Sequence, residues 1–102
     1  MITWALTTIS ADNVATVASC ANNATAARDC TIHATRAAIA RARRNTRPRY
    51  LLHVDGNLVA LIDTGLNHDG QPDHAAAADL LDHLYAASAP DIKSLKGLPL
   101  TG

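Results

Sequence analysis

Residues 50–62 read Tyr50-Leu51-Leu52-His53-Val54-Asp55-Gly56-Asn57-Leu58-Val59-Ala60-Leu61-Ile62. Two apolar, strand-like runs flank an Asp-Gly step. Such a step specifies a tight hairpin, because glycine accepts the positive φ that a two-residue turn demands. The expectation is a β-hairpin over about 49–62 with Asp55 and Gly56 as its loop. Leu52 then lies opposite Val59, and Leu51 opposite Ala60. Tyr50, Leu52, Val54, Val59 and Leu61 line one face; Leu51, Leu58, Ala60 and Ile62 line the other. Both faces are apolar, whereas a hairpin with one wet side alternates with polar residues. Either helices cover both faces, or one face meets a second copy of the chain or another partner.

Upstream, residues 2–9 (ITWALTTI) are rich in β-branched and aromatic types and read as a strand, with Ile2, Trp4 and Leu6 on one face. Ser10 or Asp12 can cap a helix that starts next. From there to Asn45 helix formers dominate, without Pro or Gly. One helix of that length would span about 50 Å, too long for so small a domain. A break at Asn22-Asn23 is therefore expected, with Asn23 capping a second helix over about 24–45. Thr46-Arg47-Pro48 ends it, since the residue before proline disfavours the helical region.

Downstream, residues 63–73 (DTGLNHDGQPD) read as a turn-rich loop. Asp73 caps a C-terminal amphipathic helix over about 74–88, with Ala77, Leu80, Leu81, Leu84 and Ala87 on one stripe and Asp79, Asp82 and His83 towards water. Pro90 stops it, and residues 89–102 read as a loose tail. The expected architecture is a single α+β domain over 1–88, ordered β-α-α-β-β-α around a three-stranded sheet of open strand order.

A chain of 102 residues fits one domain. Its hydrophobic fraction of 48% includes 21 Ala, and the aromatics are Trp4, Tyr50 and Tyr85 alone. Small side chains each bury little area, so the monomer is expected to be modestly stable or to lean on a partner. No apolar run approaches the ~18 residues of a membrane span. The start of the chain lacks the basic and apolar regions of an export signal, so a cytoplasmic protein without membrane partners is expected. On one helix, Cys20 and Cys30 would sit about 80° apart around the axis and three turns apart along it, too far for a disulfide. They read as small buried hydrophobes in a reducing compartment.

Charge is segregated. Residues 1–50 hold seven Arg against two Asp, a balance of +5; residues 51–102 hold two Lys against seven Asp, a balance of −5. Arg36, Arg41, Arg43, Arg44, Arg47 and Arg49 place six of the nine basic residues within fourteen positions. Extended as a helix, Arg36, Arg41, Arg43 and Arg44 fall within an arc of about 160°. Ala27, Thr31, Ala34, Thr35, Ala38, Ile39 and Ala42 fill most of the opposite side. Guanidinium groups stay charged and bind phosphate in a bidentate way, so a basic face running into a basic loop suits nucleic acid. Cations at a helix C-terminus are also favoured by the macrodipole alone. Only Tyr50 lies beside the cluster as a stacking residue.

His68, Asp69, Asp73, His74, Asp79, Asp82 and His83 could supply ligands, with Asp79 and His83 on one helix face, but their spacing fits neither an EF-hand nor a zinc pattern. No metal and no cofactor is expected. His33 reads as a surface residue near Asp29, and His53 as a strand imidazole among Leu and Val. No GxSxG elbow or comparable nucleophile motif is present, and no catalytic residue is assigned. Residues 98–102 (LPLTG) resemble the LPxTG pattern of sortase sorting signals, but no apolar segment and basic tail follow, and a chance match is the better reading.

The functional expectation is a non-catalytic binding module that presents the arginines of residues 36–49 to nucleic acid or another anionic partner. The competing expectation is a protein-interaction or regulatory adaptor that works through an apolar sheet face, with homodimerisation as one form. An enzyme is the third class.

Overall fold

A computed structural model of the chain describes residues 1–88. The expected tail over 89–102, the stop at Pro90 and the LPLTG segment lie outside the described residues. The α+β class holds, but the order is β-β-α-β-β-α: β1 (Ile2–Ser10), β2 (Asn13–Ala21), α1 (Ala24–Arg41), β3 (Arg49–Val54), β4 (Asn57–Asp63) and α2 (His74–Ser88). The sheet has four strands in the order β2-β1-β3-β4, antiparallel throughout.

The expected three-stranded sheet and first helix are thus corrected at residues 13–21. Asn13-Val14-Ala15-Thr16-Val17-Ala18-Ser19-Cys20-Ala21 mixes alanine with β-branched residues, so local propensity is divided. Pairing decides it. A two-residue turn at Ala11-Asp12 folds β2 back on β1 in an unbroken register of nine pairs, from Ser10 opposite Asn13 to Ile2 opposite Ala21. Ser10 and Asp12 therefore flank or form a turn instead of capping a helix. Cys20 sits on this strand and Cys30 on α1; both thiols are free, and Cys20 is exposed where a buried residue was expected.

Asn23 caps α1 as its sequence suggests, its Oδ1 accepting from the Ala26 N–H at 2.8 Å. The helix ends at Arg41, several residues before the expected 45, because Ala42 turns extended (ψ 139°) and bonds back to the Ile39 carbonyl. Its buried face carries Ala27, Thr31, Ile32, Thr35 and Ile39. Thr31 and Thr35 are fully buried polar residues, satisfied by donating to the carbonyls four residues earlier, each at 2.8 Å.

The hairpin forms where expected. Asp55 (φ 55°) and Gly56 (φ 78°) make its left-handed two-residue turn. Its register departs from expectation: His53 faces Leu58, but Leu52 faces Ala60 and Tyr50 faces Ile62. A bulge at Val59 inserts one residue and turns the rest of β4 over. Ala60 and Ile62 therefore join the Tyr50 face, and Leu61 moves to the opposite one. Burial supplies the reason: Ile62 enters the core at 4% exposure, while Leu61 is left at 50%.

Both helices pack on one side of the sheet. Leu6, Tyr50, Leu52 and Ile62 from the strands meet Ile32 and Ile39 from α1 and Ala77 and Leu81 from α2 in a single core. Asp73 caps α2 as expected, accepting from the Ala76 N–H at 2.9 Å. Leu80 departs from the expected apolar stripe and is exposed, while Ala78 packs against the core. The far side of the sheet has no helix among the described residues. Leu58, Leu61 and Val14 are each half or more exposed. No described helix is long and apolar enough to cross a membrane.

Candidate anion-binding site at the end of helix α1

The six clustered arginines separate into two groups. Arg36 Nη1 meets Asp82 Oδ1 of α2 at 2.7 Å. Arg49 Nε meets Asp63 Oδ1 across the β3–β4 ladder at 2.6 Å. Arg47 Nε donates to the Thr64 carbonyl at 3.1 Å. These three staple the helix-to-strand connection and α1 to their neighbours. Arg41, Arg43 and Arg44 form no ion pair among the described residues, and all three are exposed. Because α1 stops at Arg41, Arg43 and Arg44 lie in the turn beyond it, and the expected helical stripe is instead a helix end plus a turn.

That turn is held by three hydrogen bonds to one carbonyl. The Arg43 carbonyl accepts from the Thr46 N–H (3.1 Å), from Thr46 Oγ1 (2.8 Å) and from His74 Nε2 at the start of α2 (3.0 Å). The arginine side chains therefore project from a fixed backbone. The helix ends with Arg41 in its last turn, where a cation also meets the negative end of the helix dipole.

Beside them opens a groove of about 640 Å³ between α1 and the β1–β2 hairpin. Its floor is apolar, from Leu6, Val17, Ala34, Ala38 and Tyr50, and Arg41 and Arg43 stand at it together with Asp12, Asn13 and Ser10. Tyr50 is completely buried, and its hydroxyl has no hydrogen-bond partner among the described residues. Burial raises the Tyr50 pKa above that of a free phenol, because the phenolate would lose its water. Tyr50 is thus part of the core floor and offers no exposed face for base stacking.

A smaller groove of about 290 Å³ lies at the other end of α1, bordered by Arg28, Thr25, Val54 and Val59. The His/Asp-rich segment does not converge: His68 Nε2 and Asp69 Oδ1 are 3.6 Å apart and highly exposed. His83 Nδ1 bonds to the Asp79 carbonyl of its own helix at 2.8 Å. No group of three or more His, Cys, Asp or Glu side chains comes together to hold a metal among the described residues. Compared with protein-family models, with curated proteins and with solved structures, the chain matches none of them.

Proposed function

We propose that the chain is a non-catalytic binding module that presents Arg41, Arg43 and Arg44 to the phosphate backbone of a nucleic acid. One observation carries this reading: Arg41, Arg43 and Arg44, exposed and close in sequence, have no aspartate partner among the described residues, while the other three of the cluster are tied down. A guanidinium left unpaired at an exposed end gains most from a phosphate, through charge and a bidentate fork. Among the described residues no exposed aromatic lines the groove beside Arg41 and Arg43, which favours backbone contact over base stacking. Three phosphate contacts would release about three counterions, giving a slope near −3 of log affinity against log salt for duplex DNA.

Fluorescence anisotropy with duplex and single-stranded oligonucleotides of mixed sequence tests it. Binding at low salt should be weak, insensitive to sequence and lost in the Arg41→Ala, Arg43→Ala, Arg44→Ala variant. Arg36→Ala and Arg49→Ala should change it little. No binding at low salt would remove the reading.

A second reading rests on the sheet face that no described helix covers, where Leu58 and Leu61 lie exposed beside Leu51 and Ile9. An apolar patch of this kind suits a protein partner. Loss of pull-down partners on Leu58→Ser with Leu61→Ser, with folding intact, would support that adaptor role.

A further inference from the structure

The two edges of the sheet are finished differently. β4 carries the Val59 bulge and ends on charged Asp63. These are the devices that keep a strand edge from pairing with another chain. β2 has none of them. It holds no charge, proline or glycine, it is unbroken over nine residues, and its residues are exposed until Ala21.

Its outward backbone groups can be assigned. The Thr3 carbonyl turns away from β2, accepting from the Asp55 N–H at 2.7 Å. Thr3 and its neighbour Cys20 are therefore a non-hydrogen-bonded pair, and the phase alternates along the ladder. Ala15, Val17 and Ser19 direct their N–H and C=O towards β1. Val14, Thr16, Ala18 and Cys20 direct theirs outward, where no strand of the described residues meets them.

We propose that β2 is the pairing edge of a homodimer, joining antiparallel to β2 of a second copy about a two-fold axis at Val17. In this register Val14 faces Cys20 and Thr16 faces Ala18, so all four outward residues of each strand find partners within the other. Moving the axis by one residue pairs Cys20 with Asp12 in the turn, or Val14 with Asn22 beyond the strand. Only the Val17 axis satisfies the whole edge.

Charge supports a second copy over a foreign segment. Nothing on β2 repels its own image. In this register Asp12 also comes opposite Asn22 of the second copy, one residue before the Asn23 cap of α1. That helix has no acidic residue in its first turn, and its positive end suits a carboxylate supplied from outside. The pairing consumes the open edge and leaves two β4 edges that are bulged and charged. The assembly therefore closes at two chains, as an isologous contact does. It uses none of the three free arginines.

Sedimentation equilibrium of the full chain from micromolar to millimolar concentration tests the proposal. The expected result is a shift from 10.7 kDa to twice that mass. Val17→Lys should hold the protein at monomer mass and raise the dissociation constant at least tenfold, with an unchanged circular dichroism spectrum. In a Cys20→Ser, Cys30→Ala background, Val17→Cys should form an intermolecular disulfide on oxidation, because the two-fold axis sets it against itself. Ala15→Cys should not, since its counterpart is Ser19. Monomer mass at millimolar concentration, a dimer that survives Val17→Lys, or equal crosslinking of both cysteine variants would each overturn it. Oligonucleotide binding by a Val17→Lys monomer separates this outcome from that of the arginine reading.

Discussion

The β3–β4 hairpin and the β1–β2 hairpin share one sheet and are held by opposite means. The first has a left-handed Asp55-Gly56 turn, a bulge, and side chains at Tyr50, Leu52 and Ile62 sunk into the core. The second turns through Ala11-Asp12 without a residue at positive φ. Beyond Leu6 it contributes little to the core, and β2 is exposed along almost its whole length. One hairpin is specified by local chemistry and packing; the other is specified chiefly by the ladder it joins. Their sensitivity to substitution should differ accordingly.

The largest difference is expected in the core. Leu52→Ala should cost about 2–5 kcal/mol by chemical denaturation, as deletion of a fully buried leucine does. Loss of less than 1 kcal/mol there would erase the contrast between the hairpins. Gly56→Ala comes next: a Cβ at this site meets nothing within 4 Å, so the cost is backbone strain alone, about 1–2 kcal/mol. Ala11→Gly at the other turn should cost a fraction of that.

Tyr50→Phe sharpens the comparison at high pH. Because burial raises the Tyr50 pKa, the unfolded chain loses this proton first as pH rises past 10.0. The Tyr50 contribution to stability should be constant below that pH and decline above it. Tyr50→Phe should soften that decline in thermal melts, and at neutral pH it should leave stability unchanged or raise it by up to about 1 kcal/mol, since a buried hydroxyl without a partner is removed. Thr16→Ala is the smallest effect. It removes the 3.1 Å hydroxyl contact with Thr7 on the exposed ladder and should cost below about 1 kcal/mol, measured on dilute protein.

What could be read in advance follows the same division. The Asp-Gly turn, the Asn23 and Asp73 caps and the span of α2 are local signals, and each lies where the residues indicate. Residues 13–21 carry no such signal. Alanine favours helix, and a strand exposed on both faces loses the apolar-polar alternation that would mark it. The bulge was hidden for the opposite reason: Leu58 to Ile62 are all apolar, so both registers satisfy the pattern. At the candidate site, the arginine cluster was legible and its division was not. Arg36 finds Asp82 across 46 residues, and only the packing of α1 on α2 brings them together.

The strand order has a consequence for how the chain folds. Each hairpin pairs neighbours in sequence, but β1 meets β3 by joining Ile9 to Arg49 and Trp4 to Val54, forty to fifty residues apart. Closing so long a loop is the entropic cost that topology places on folding. The hairpins and α1 can form early, so the docking of β1 against β3 should govern the folding rate. Leu6, buried at that junction, is the residue whose truncation should slow refolding as much as it destabilises the native state.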